Sequence, residues 1–234
     1  MTELKNIFTK SLQTIQKYWI SLLTITFVTE GIVLFTKTYW TNFLSQQNFN
    51  IFGGFSDVVK AILGLMMISL LTPIGKSATA YLISKKQSKI YSGVTSYLAI
   101  LKKLPLILAV SFIWFAGTFA GLGLFIIPGV IFFFGSQLTI QAMVVENLGI
   151  LEAFKRGWQL VKQNIWAIII LFLVIEIGQG IMSSILAGII LAIIPKSNLY
   201  YLDWFVSTFA ALFVYVPLAI MYLERREKEV SLTV

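Results

Sequence analysis

The chain has no cysteine and no histidine among its 234 residues, and only 12% of them are charged. Without cysteine there are no disulfides, no thiolate metal sites and no cysteine nucleophile. Without histidine the commonest general base and the commonest transition-metal ligand are missing. Aspartate occurs only as Asp57 and Asp203. No glycine-rich phosphate loop followed by Lys-Ser/Thr is present. A hydrolase is hard to build from such an inventory, so no catalytic residue, metal or cofactor is expected. The sparse charge also excludes a soluble globular domain, which carries about twice this share of charged residues. Disorder is excluded by the abundance of aromatic and β-branched residues.

What is present is apolar. Hydrophobic residues make up 58% of the chain and aromatic ones 15%, with a mean hydropathy of +0.86. A helix needs about 20 mostly apolar residues to cross a hydrocarbon core about 30 Å thick. Residues 104–145 contain no charge and are long enough for two crossings, 104–122 and 125–145, with "GLGLFIIPG" as the turn between them. Further crossings are expected at 18–36, 58–83, 165–194 and 204–223. Tyr18-Trp19 and Tyr39-Trp40 flank the first of these as interfacial belts. The N-terminal residues 1–25 lack a small-x-small cleavage site and read as an uncleaved first span. The expected fold is therefore all-α: one polytopic membrane domain over 1–234, with six transmembrane helices.

The basic residues give a direction. With the N-terminus inside, 15 of the 18 Lys and Arg fall in cytoplasmic segments, and only Lys37, Lys60 and Lys196 fall on or near the other side. Both termini are then cytoplasmic. The net charge of +8 is a topology signal, and no nucleic-acid partner is expected.

Two segments on that inner side share a pattern. Leu4, Ile7, Phe8, Leu12, Ile15 and Trp19 recur at three and four residues, as do Ile150, Leu151, Phe154, Trp158, Val161 and Ile165. Each carries Lys, Arg or Gln opposite, the pattern of a helix lying in the interface plane. "FTKSLQTIQKYW" and "FKRGWQLVKQNI" stand in register, with Phe8 over Phe154 and Gln13 over Gln159. A third, weaker lead-in covers 94–103. The chain thus reads as three units of interfacial helix, span, outer turn and returning span, giving two or three amphipathic cytoplasmic helices. A basic amphipathic lead-in common to any helix entering a bilayer explains the same pattern.

The stretch "FIIPGVIFFFGSQLTIQAMVVENLGILEAFKRGWQLVKQNIW" resembles the membrane domain attached to some bacterial glycerophosphodiester phosphodiesterases, and related stand-alone integral membrane proteins of unknown function. That pattern has a Pro-Gly turn, an apolar span, a Glu at its cytoplasmic end and a helix of Ala-x-x-Arg-Ser-Trp character. Pro128-Gly129, Glu146, Ala153, Arg156 and Trp158 occupy those places, with Gly157 where serine is usual. The proline often found just before the glutamate is missing. The similarity is good over about 40 residues and elsewhere rests on hydropathy. It implies the membrane half of such a protein without the soluble metal-dependent barrel that carries the chemistry.

The candidate residues fall into three groups. Glu30 and Glu176 lie inside expected spans, with Gln179 near the second. A carboxylate at mid-bilayer costs roughly 2.5–3.5 kcal/mol on insertion scales. Each is either a proton- or cation-linked site or an acid protonated, hydrogen-bonded between helices or wetted at the outer interface. Glu146, Glu152, Lys155, Arg156 and Lys162 form a cytoplasmic cluster. There Glu152 is expected to face Lys155 and Arg156, and Glu146 to fold back onto Arg156 and fix the angle between span and interfacial helix. Anionic headgroups on Lys155, Arg156 and Lys162 are a further expectation. Gly117-x-x-x-Gly121 and Ser184-x-x-x-Gly188 allow close helix approach, within the chain or between copies. The resulting reading is a non-enzymatic protein of the bacterial cytoplasmic membrane, associated with lipid or accessory to an envelope system, with a protein partner possible. A small proton- or cation-linked transporter using Glu30 and Glu176 is the alternative. An immunity protein against a membrane-active peptide fits the size and topology alone.

Overall fold

The computed structural model describes residues 2–46, 55–85, 92–162, 165–191 and 199–233; for some helical residues, Glu176 and Gln179 among them, it describes the backbone alone. Among these residues every regular element is helical and there is no strand. The order is α1 (Thr2–Gln46), α2 (Phe55–Ser84), α3 (Ser92–Leu101), α4 (Leu104–Leu124), α5 (Ile126–Gly135), α6 (Thr139–Glu146), α7 (Ile150–Lys162), α8 (Ile165–Leu191) and α9 (Leu199–Thr233).

Among the described residues five stretches are long and apolar enough to cross a membrane: in α1, α2, α4, α5 with α6, and α9. A sixth is reached only if α7 and the first part of α8, Ile165–Val174, count as one span bent by 89°. The expected six is the upper of these two counts. At 13 residues, α7 is too short to cross alone.

Local sequence explains the breaks. Tyr18 leaves helical geometry at φ −117°, ψ 19°, where the amphipathic start of α1 meets its apolar continuation. Pro105 stands in the first turn of α4, where its missing N–H costs nothing. The hairpin between α4 and α5 turns through an extended Phe125. Gly121 and Gly129 face each other there, and a Cβ on Gly121 would lie 2.7 Å from the Gly129 Cα. A Cβ on Gly117 would similarly meet the Phe132 ring at 2.5 Å. The Gly117-x-x-x-Gly121 stripe therefore packs within this chain. Asn147, at φ 59°, ends α6 in the left-handed conformation and turns the chain into α7.

Burial is uneven along the bundle. The core gathers around α9, from Ala211 to Tyr222, with Leu22 and Ile25 of α1, Leu82 of α2, Met143 of α6 and Leu160 of α7. At the opposite end, Leu124, Phe125, Ile126 and Ile127 are all more than 70% exposed. An apolar surface of that kind suits lipid and not water. The segment expected as a third interfacial helix behaves differently. α3 packs between α1 and α2 through buried small residues, with Ser92 Oγ 2.7 Å from Ser21 Oγ and Tyr97 hydrogen-bonded to Thr29.

Candidate functional site

Ion pairs gather at one end of the bundle, where α6 stops, α7 crosses and α9 leaves, while the Asp57–Lys60 pair lies apart at the start of α2. Among the described helices α7 is the most amphipathic. Its Ala153, Gly157, Leu160 and Val161 are buried, and Glu152, Lys155, Gln159 and Lys162 are exposed. Gly157 makes the close approach possible, because a Cβ there would lie 2.8 Å from the Thr139 backbone. One turn away, a Cβ on Gly135 would fall inside the Trp158 indole.

At the centre of this end is Glu146, the last residue of α6. Its carboxylate accepts from Arg156 Nε at 3.2–3.3 Å and from the Tyr222 hydroxyl, and Arg226 Nε lies 3.7 Å away. Arg156 also donates through Nη1 to Glu229. Three helices are thereby tied through one carboxylate and one guanidinium. Burial opposes the charge on Arg156, but its hydrogen bond to Glu229 and the charges of Glu146 and Glu229 outweigh this and hold its pKa above the ordinary value. Arginine suits the position because its fork donates in two directions at once.

The expected fold-back of Glu146 onto Arg156 is present in this geometry. The expected pairing of Glu152 is not. Its carboxylate instead accepts from the Gly149 N–H at 3.3 Å, capping the start of α7. An acid in the first turn satisfies an orphan donor and meets the positive end of the helix dipole, while Arg156 is already drawn to Glu146 and Glu229. Arg156 is thus engaged within the bundle, and Lys155 and Lys162 are the cations that α7 presents outward.

A second contact joins the start of α1 to α9: Lys10 Nζ lies 2.5 Å from Glu224. Beside it, a groove of about 400 Å³ runs between these helices and the end of α2. Deeper in the bundle, Glu30 accepts from the Tyr215 hydroxyl at 2.9 Å, and its neighbour Thr29 is hydrogen-bonded to Tyr97. Tyr215 precedes Tyr222 by two turns, placing Glu30 about 10 Å further along α9. The side chains of Glu176 and Gln179 lie outside the described residues. Ser184 Oγ donates to the Gly180 carbonyl at 2.8 Å, and nothing described lies within 4 Å of a Cβ on Gly188. No group of three or more Asp or Glu suited to a metal occurs among the described residues.

Tyr215, Tyr222, Glu224 and Glu229 are not singled out by the sequence, although all belong to one helix. Arg226 counts in the sequence only as one of the cytoplasmic cations. The signal was Glu224, Glu227 and Glu229 interleaved with Arg225, Arg226 and Lys228, a mixture able to pair with neighbouring helices.

Fold and site together define an all-helical protein with several helices of membrane-crossing length and a polar junction at one bundle end. The chain belongs to the family described as "Domain of unknown function (DUF7847)", whose model matches residues 88–224. The match takes in α3 to α8 and α9 as far as Glu224, including the Glu146–Arg156 contact, and makes no link to phosphodiesterase membrane domains. No curated protein and no solved structure matches the chain.

Proposed function

We propose that this is a non-enzymatic protein of the bacterial cytoplasmic membrane that associates with anionic lipid through α7 and acts as an accessory to an envelope system. The observation that carries the reading is the posture of α7. It lies at 89° to the start of α8, with Lys155 and Lys162 exposed beside Leu151 and Trp158. Exposed apolar and basic side chains on a helix across a bundle end suit the boundary between acyl chains and headgroups. The resemblance of residues 125–166 to phosphodiesterase-linked membrane domains supports an accessory role for the same region.

The test is extraction into native nanodiscs, followed by mass spectrometry of the retained lipid. The intact chain should retain anionic phospholipid above its bulk share. The Lys155→Gln/Lys162→Gln variant should lose that enrichment. Equal lipid profiles for the two proteins overturn the reading.

A second reading has its own observation. The Glu30–Tyr215 hydrogen bond, with Thr29 and Tyr97 adjoining, places a carboxylate and three hydroxyls between α1, α3 and α9. Such a group suits proton- or cation-linked transport. Glu30→Gln should then abolish pH-dependent flux in proteoliposomes, and unchanged flux removes this alternative.

A further inference from the structure

The groove between α1 and α9 has a composition that α7 lacks. Lys10, Gln13, Thr14 and Lys17 line it from α1, and Ile220, Leu223, Glu224 and Glu227 from α9. Both sets follow the i, i+3, i+4, i+7 spacing of one helix face, so two facing stripes build the walls. The remaining lining residues, Tyr18 and Ile83, are both buried and apolar in character. Two cations and two carboxylates therefore lie close together above an apolar floor.

This lining discriminates by charge pattern. A purely anionic headgroup would meet Lys10 and Lys17 but would sit against Glu224 and Glu227. A dipolar group with a phosphate and a primary ammonium meets both pairs in their favoured sense, and its hydrogens satisfy carboxylate oxygens directly. The volume of about 400 Å³ falls in the range of small-ligand pockets. Tyr18 and Trp19 mark the level at which α1 turns from amphipathic to apolar, so the groove opens where headgroups lie. Lys17 is held there, its Nζ 5.3 Å from the centre of the Tyr18 ring.

We propose that this groove binds the headgroup of a zwitterionic phospholipid bearing a primary amine, of the phosphatidylethanolamine class. The phosphate is taken by Lys17 and the ammonium by Glu227, with the Lys10–Glu224 ion pair beside them offering its outer hydrogens and oxygens to the same two groups. Leu223, Ile220 and Ile83 meet the first carbons of the lipid. The proposal rests on the chain being in a membrane, but it does not depend on α7 binding anionic lipid.

The experiment is native mass spectrometry of the full chain released from nanodiscs of equal phosphatidylethanolamine, phosphatidylcholine and phosphatidylglycerol. The intact protein should carry phosphatidylethanolamine adducts in excess of the other two. Phosphatidylcholine is the sharp control, since its methyl groups remove the ammonium hydrogens and leave the charge. Lys17→Gln and Glu227→Gln should each lower the adduct about fivefold, as expected for one lost charge-assisted contact in a wet site. Lys17→Arg, which keeps the cation, should retain it. Neither changed residue makes an ion pair within the described part of the chain, so folding should survive, and an unaltered thermal midpoint in detergent confirms it.

Equal adducts of all three lipids overturn the proposal, as does an adduct indifferent to both Gln variants. Displacement of the lipid by soluble glycerophosphoethanolamine at matched concentration also overturns it, in favour of a water-soluble ligand. The α7 reading fails separately, through phosphatidylglycerol retention that ignores Lys155→Gln/Lys162→Gln.

Discussion

The first turns of α1 and the whole of α7 share a sequence register, and the structure uses that register in the same way twice. With Phe8 over Phe154, Ile7 falls on Ala153 and Ser11 on Gly157, and all four are buried. Leu12 falls on Trp158, and both are exposed. Lys10 falls on Arg156, and each reaches a glutamate of α9: Glu224 for the lysine, Glu229 for the arginine. The outcomes nevertheless differ. α1 continues through a bend at Tyr18 as one long helix, whereas α7 meets the start of α8 at 89°. The shared pattern decides which face docks and which cation points at α9. How tightly each segment is held is decided by residues outside the pattern. Asn147 turns the chain, Thr139 offers its backbone to Gly157, and Glu146 grips Arg156 from a third helix.

The largest difference should appear at the position where the two segments hold serine and glycine. In α1, Ser11 is buried and donates to its own Ile7 carbonyl at 2.7 Å, so a side chain has room. In α7, a Cβ on Gly157 would sit 2.8 Å from Thr139 N and Cα, and backbone cannot swing aside. Gly157→Ser should cost about 3 kcal/mol, the upper range of overpacking penalties. It should also speed amide hydrogen exchange throughout α7. Ser11→Gly should cost about 1 kcal/mol, mostly helix propensity. Equal losses for the two, followed by denaturant unfolding in detergent, would dissolve the distinction between a loosely and a closely docked helix.

Glu146 against Glu224 is the next contrast. Glu146→Gln leaves Arg156 with Glu229 alone and weakens the acceptor for Tyr222 and Arg226. The expected loss is about 2 kcal/mol, typical of a charged hydrogen bond broken at a partly buried site. Glu224→Gln loosens a single lysine whose side chain is 57% exposed, and should cost under about 1 kcal/mol. The ranking is read from thermal midpoints in one detergent. A reversed order would mean that α9 is anchored mainly through α1.

These particulars mark how far the sequence can be read. Apolar length and charge pattern disclosed an all-helical, membrane-length architecture, because a bilayer demands long runs with few charges and little else reproduces them. The stripes of α1 and α7, and the fold-back of Glu146 onto Arg156, were equally legible, being separated by only a few residues of chain. The partners on α9 were not. Tyr222 lies 76 residues from Glu146, and Glu229 lies 73 from Arg156; no periodicity connects residues that far apart. The packing of α3 is hidden from the sequence for a related reason. Its small Ser92, Gly93 and Ser96 carry no hydrophobic stripe, yet smallness is what lets it press against α1, where a Cβ on Gly93 would come within 2.6 Å of the Ser21 carbonyl oxygen.

The smallest expected effect belongs to the cation at the start of α1. Lys10→Gln removes one exposed ion pair, worth at most about 1 kcal/mol and weakened by salt. Arg156→Gln strips Glu146 and Glu229 of their shared donor in a setting with less solvent to replace it. Raising the salt concentration should therefore erase most of the difference between the intact chain and the Lys10 variant, while leaving the Arg156 deficit largely in place. The comparison needs only melting curves at low and high salt. If both deficits vanish together, the contact of α7 with α9 is as wet as that of α1, and Glu146 adds nothing beyond a second surface pair. If only the first vanishes, the third helix is what converts a shared register into a fixed crossing.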